Sequence, residues 1–198
     1  MRLNLARQNL SQVTQGYHVI ALRSWLKWLV KQDVTTVLPE KVDVPKGETK
    51  SLKFLNREQV ERLLAAPGIS NDRGLRDKAM LEVLFSTGLR VSELTGLNRD
   101  TVDTKRREFG VIGKGRRPRV VFLSQRAAMW LELYLMTRSD HWPPLFIRYS
   151  GSKPAITSRG EEMRLTVRSV QRLMRKYVRQ VRLPVEATVN TLRHSFAT

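Results

Sequence analysis

The residues best suited to chemistry begin at Phe85-Ser86-Thr87-Gly88-Leu89-Arg90-Val91-Ser92-Glu93-Leu94. An apolar run with helical spacing, Leu75 to Phe85, stops at Gly88, and glycine suits a left-handed helix cap. A second helical run starts from about Val91. Arg90 is therefore predicted at the start of a helix, where the dipole disfavours a cation by a few tenths of a kcal/mol. An anion close by would offset that cost, because helix-start N–H groups and a guanidinium together make a phosphate cradle. Read alone, the stretch is also satisfied by an exposed surface arginine at a helix junction.

Two later stretches weigh against that plainer reading. One is Gly113-Lys114-Gly115-Arg116-Arg117-Pro118-Arg119, which leads into the strand-like Val120-Val121-Phe122-Leu123. The other is Asn190-Thr191-Leu192-Arg193-His194-Ser195-Phe196-Ala197-Thr198. By itself the first is a basic hairpin turn. In this order, however, the three motifs resemble those of the tyrosine recombinases, the phage-integrase family, and most of all its Xer-type members. The resemblance runs from about Ser11 to Thr198.

That resemblance implies site-specific DNA recombination, in which a tyrosine hydroxyl attacks a phosphodiester and forms a 3′-phosphotyrosyl link. The released 5′-hydroxyl of a partner strand later reverses the step. No metal and no nucleotide cofactor is implied. Arg90 and Arg193 match the family's two arginines, whose planar forks would hold the non-bridging oxygens as charge develops there. Lys114 matches the general acid that protonates the leaving oxygen. Glu93 matches an acidic residue that would orient Arg90 by a salt bridge, although the same spacing also describes an ordinary surface pair.

The chain departs from the family pattern in two places. Asn190 stands where a histidine is usual, and an amide donates a hydrogen bond but takes no proton near neutral pH. His194 matches the frequent Arg-His pair and is expected to support the site. The nucleophilic tyrosine of the family follows the Leu192-Arg193-His194 motif, whereas Tyr17, Tyr134, Tyr149 and Tyr177 all precede it. The chain as it stands is expected to hold no nucleophile: a fragment that grips a phosphate without breaking it, or alternatively a non-catalytic DNA-binding relative. Relatives assemble as tetramers through their C-terminal segments, so this fragment is expected to be monomeric.

Charge points to the same class of partner. Lys and Arg total 36 against 18 acids, a net charge of +18, which favours a polyanion and double-stranded DNA first. Residues 101–198 hold most of the excess, twenty bases against seven acids. There is no membrane-length apolar run. The absence of cysteine excludes disulfides and fits a cytoplasmic protein. His18, His141 and His194 show no metal-ligand spacing.

The positioning elements can be read in outline. The fold class is mainly α with a small antiparallel β-sheet (α+β): a recombinase-type catalytic domain preceded by part of a helical core-binding domain. Residues 1–44 are assigned to that helical part and the start of a linker, 45–53 to the linker, and 54–198 to the catalytic domain, incomplete at its C-terminus. Met1 to Gln32 reads as helix, with Trp25 and Trp28 as core residues. Asn56 with Gln59 forms a capping box, and Asp72 to Thr87 is a core helix. Val102 to Ile112 and Pro118 to Leu123 pair as a hairpin, and Gln125 to Met136 is a helix capped by Ser124. Thr166 to Val181 is the clearest amphipathic helix. Its apolar stripe runs through Val170, Met174, Tyr177 and Val178, with Tyr177 as core. Its basic stripe is Arg164, Arg168, Arg172, Arg175, Arg179 and Arg182. Within the helix the stripe shows no acid at i±4 to relieve like-charge repulsion, so it is assigned to DNA backbone contact, as are Arg116, Arg117 and Arg119 on the hairpin. A basic helix for a membrane surface is the other reading of that stripe.

Overall fold

The computed structural model describes residues 10–44, 54–151, 159–183 and 187–196. The expected helix over Met1–Asn9, the linker over 45–53 and the residues Ala197–Thr198 lie outside the described residues, as does the side chain of Lys114. The chain divides into two units, Met1–Ser51 and Leu52–Thr198.

In the first unit, α1 spans Gln12–Lys31 and starts at Ser11, whose hydroxyl accepts the Thr14 N–H at 3.2 Å. Val19 and Leu26, two turns apart, are its buried residues. Among the described residues, its partner within the unit is the 3-10 turn Pro39–Lys41, which covers one narrow stripe. Trp25 and Trp28, expected in a core, are 55% and 56% exposed.

The second unit is built around α3. Helix α2 covers Arg57–Ala65 and carries the expected capping box from Asn56 and Gln59. Helix α3 covers Asp72–Thr87, and α4 is the short Val91–Thr95. Strands β1 (Glu108–Ile112) and β2 (Pro118–Phe122) pair antiparallel with Phe109 opposite Val121. Helices α5 (Gln125–Met136), α6 (Val167–Gln180) and α7 (Val189–Phe196) follow. Helix α3 packs against α2, α5, α7 and β2, while α4 packs against α6.

Helix α3 is buried nearly all round, its charged residues included. Arg76, Asp77, Lys78 and Glu82 are each less than a tenth exposed. Buried ions hold their place only when paired and hydrogen-bonded, and these are used as cross-links. Arg76 pairs with Asp77 and donates to the Ile147 carbonyl at 2.8 Å. The Tyr177 hydroxyl of α6 donates to Asp77 at 2.7 Å. Lys78 donates to the Leu64 carbonyl of α2 at 2.7 Å and pairs with Glu82, which also takes Arg126 of α5. Tyr177 is thus a core residue, as its stripe predicts, and it is also a polar tie.

Strand β1 begins later than the expected Val102. The Asp103 carboxylate accepts the N–H groups of Lys105 and Arg106 at 3.0 and 2.9 Å. This local turn competes with the ladder, and Arg107 then takes a positive φ of 59°. The hairpin turn itself, Lys114–Arg116, places Gly115 at φ 76° and Arg116 at φ 59°.

Replacing Tyr177 by Phe keeps the packing but leaves the buried Asp77 oxygen without its donor. We expect Tyr177→Phe to lower the unfolding free energy by about 1–3 kcal/mol, read from urea denaturation. A change near zero would mean that the tie between α6 and α3 is dispensable.

Candidate functional site

The site is assembled at the end of α3. Gly88 adopts φ 57° and ψ 31°, the left-handed cap expected there, and its N–H donates to the Leu84 carbonyl at 3.0 Å. The bend turns the chain straight into Arg90, which stands at the N-cap of α4. Helix α7 closes on the same bend. A Cβ on residue 88 would lie 2.9 Å from Phe196, and Phe196 meets Phe85 edge to face at 6.5 Å between centroids. Arg193 Nη1 donates to the Gly88 carbonyl, 105 residues away in sequence. Gly88 thus brings Arg90 and Arg193 to one corner of the molecule.

Glu93 is the anion that organises this corner. Its side chain is 7% exposed, against 44% for Arg90. One carboxylate oxygen accepts Arg90 Nη1 at 3.0 Å and the other accepts the Arg90 backbone N–H at 2.8 Å. Arg119, reaching over from β2, adds a two-pronged contact at 3.0 and 2.8 Å to the same two oxygens. Burial on its own would raise the Glu93 pKa. The hydrogen bonds from Arg119 and Arg90 outweigh it together and hold the group at about 2. Arg193 is pushed below the usual guanidinium range, first by burial and then by the like charges of Arg90 and Arg119, with Glu93 opposing.

The remaining expected residues fall in different surroundings. Lys114 lies on the hairpin turn between β1 and β2 by its backbone. Arg116 and Arg117 beside it are exposed. Asn190, on the first turn of α7, is exposed and shares a small cavity with Val91 of α4 and with Met174 and Arg175 of α6. His194 is exposed on α7, next to Arg193. Arg168, Arg172, Arg175 and Arg179 form an exposed ridge on α6, opposite the buried Val170, Met174 and Tyr177.

Arg164 does not join that ridge. It precedes α6, its side chain is 21% exposed, and it forks onto both oxygens of Glu161 at 2.8 Å. It also donates to the Thr95 and Leu97 carbonyls and to Asn98. The stripe looked unrelieved because Glu161 lies outside the helix, at i−3. Arg119 also behaves differently from a freely exposed basic residue, since its fork is spent on Glu93. No periodicity links positions 93 and 119. The sequence reading paired Glu93 with Arg90 alone, so nothing in it marked a second arginine.

The chain can now be set beside known proteins. The sequence profile of the phage integrase family matches residues 53–198. The tyrosine recombinase XerC of Syntrophus aciditrophicus (strain SB) is 33% identical over 195 residues, which cover 98% of this chain and 63% of the relative. The tyrosine recombinase XerD of Lacticaseibacillus casei is 32% identical, over 91% of this chain and 60% of the relative. The chain therefore spans about three fifths of these curated relatives. Among solved structures, the Tn1549 transposon integrase in complex with circular intermediate DNA superposes with a TM-score of 0.75 at 18% identity, over 98% of this chain and 68% of the other. The XerA recombinase gives a TM-score of 0.60 at 21% identity, over 98% and 62%. At such identities the likeness establishes a shared fold: mainly α with one small antiparallel sheet.

The depressed Glu93 pKa has a consequence for stability. A carboxyl held near 2, below its ordinary 4.5, stabilises the folded state above pH 4.5 and loses that contribution as pH falls to 2. The stability advantage of the native protein over Glu93→Gln should be largest near neutrality and shrink between pH 4.5 and 2. Urea titrations at pH 7 and pH 3 measure it. A difference constant over that range would place the contribution outside the ion pairs.

Proposed function

The chain belongs to the phage integrase family, and from that premise we propose that it supplies the DNA-gripping and phosphate-polarising part of a site-specific recombinase. The observation that carries the proposal is the meeting of Arg90 and Arg193 at the Gly88 bend. Arg90, Arg119 and Arg193 around the one carboxylate of Glu93 leave a net positive charge that favours an anionic ligand. A phosphodiester is the anion whose geometry suits two planar forks.

In this reading Arg90 and Arg193 hold the non-bridging oxygens of the phosphate to be cut and stabilise charge as it develops there. Lys114, on the turn with the left-handed Gly115, is the general acid for the leaving 5′-oxygen. Asn190 donates a hydrogen bond to the phosphate from the first turn of α7, and His194 supports Arg193. The ridge Arg168, Arg172, Arg175 and Arg179, with Arg116 and Arg117, grips the duplex backbone. The reaction is strand cleavage and rejoining through a phosphotyrosyl intermediate, with double-stranded DNA as substrate.

None of the described tyrosines of the second unit is presented for attack. Tyr134 and Tyr177 are 0% and 3% exposed. Burial pushes the Tyr149 hydroxyl well above its ordinary pKa, which keeps it protonated and a poor nucleophile.

Two measurements test the proposal. Binding to a DNA duplex should weaken with salt, with log K falling by about 0.9 per log unit of salt for each phosphate neutralised. Arg172→Ala with Arg175→Ala should lower the affinity and flatten that slope, as should Arg90→Ala with Arg193→Ala. Salt-independent binding, or none at low salt, defeats the proposal. In the second measurement, a suicide DNA substrate that traps covalent adducts should yield none at Tyr134, Tyr149 or Tyr177. An adduct mapped to any of the three would move the chemistry away from the Gly88 corner.

A further inference from the structure

We infer that Arg119 is a positioning residue that neutralises Glu93, so that Arg90 keeps its positive charge for a phosphate. The inference rests on the DNA-binding reading above and gives one of its basic residues a different task.

Glu93 creates a problem that the Arg90 pair alone does not solve. A carboxylate beside a phosphate site repels the phosphate, and paired only with Arg90 it would cancel the charge that the site needs. The structure shows how this is avoided. Arg119 spends its fork on both oxygens of Glu93, at 3.0 and 2.8 Å, while Arg90 gives its backbone N–H and one guanidinium nitrogen. The two-pronged contact is the stronger geometry for a carboxylate, so Glu93 is matched chiefly by Arg119. Glu93 can then fix Arg90 in place as a strut of little net charge. Three guanidiniums against one carboxylate then leave the corner of Arg90 and Arg193 net positive.

Two further features fit this assignment. A Cβ on residue 113 would lie 2.7 Å from Arg119 Nη1, so the glycine leaves the path of the fork open at the start of the hairpin turn. Arg193, held on the Gly88 carbonyl, has its pKa lowered first by burial and then by Arg90, with Glu93 opposing and Arg119 adding to the lowering. Arg116 and Arg117, three and two residues away on the same hairpin, are exposed and make no such pair with Glu93.

The experiment is a double-mutant comparison read by duplex DNA affinity across a salt titration, using the whole chain. Arg119→Gln removes the charge and keeps most of the stem, and Arg119→Ala removes both. Each should weaken binding by about tenfold. Adding Glu93→Gln to either should recover part of that loss, about threefold or more, because the carboxylate no longer opposes the phosphate. Arg119→Lys keeps the charge but loses the fork, so it should weaken binding less than Arg119→Ala does. If Arg119 instead touches DNA, its loss flattens the salt slope by about 0.9 and Glu93→Gln restores nothing. If it only tethers the hairpin, the double variant is again no better than the single. Either result overturns the inference while leaving DNA binding intact. A native chain that binds no duplex overturns the DNA-binding reading and this inference with it.

Discussion

Guanidiniums repel one another, and holding three of them around one corner is the constraint that the second unit of this molecule must satisfy. A single carboxylate, Glu93, supplies the attraction, and backbone groups supply the rest. Arg193 is anchored on the Gly88 carbonyl rather than on an acid. That choice matters chemically. A carbonyl orients a guanidinium through its partial charge and leaves the full positive charge in place. The corner is thus ordered without being electrically cancelled, which is the arrangement that an anionic ligand would need.

Such a corner requires rigid walls, and α3 provides them. Its charges point inward and tie it to α2, α5 and α6 and to the segment around Ile147. Each tie is directional, so the helices have one allowed register against α3, whereas apolar packing alone tolerates sliding. The position of Gly88 at the end of α3 is then fixed by ties made one to three turns earlier. The precision of the site is inherited from the middle of the helix.

Local chemistry was legible in the sequence, and long-range chemistry was not. The Gly88 cap, the Asn56 capping box, the Ser124 cap of α5, the turn at Gly115 and the apolar stripe of α6 all follow from residues a few positions apart. The meeting of Arg90 with Arg193 came from motif order, since no spacing rule reaches across such a separation. The Arg119–Glu93 fork and the Arg164–Glu161 fork escaped for a common reason. A charged side chain looks the same in sequence whether its partner is solvent, DNA or an acid brought close by folding. Trp25 and Trp28 failed differently. Their helical spacing marks an apolar face, but spacing does not say whether anything covers it.

The distance between Gly88 and Arg193 along the chain also sets an order of events during synthesis. At ~5–20 residues per second, a nascent chain waits roughly 5–20 s between making Gly88 and making the arginine that docks on it. The α6 ridge is made late in that interval, while the corner is still open at Phe85. The basic face is therefore complete before Arg90 meets Arg193, and the corner closes only with the docking of α7.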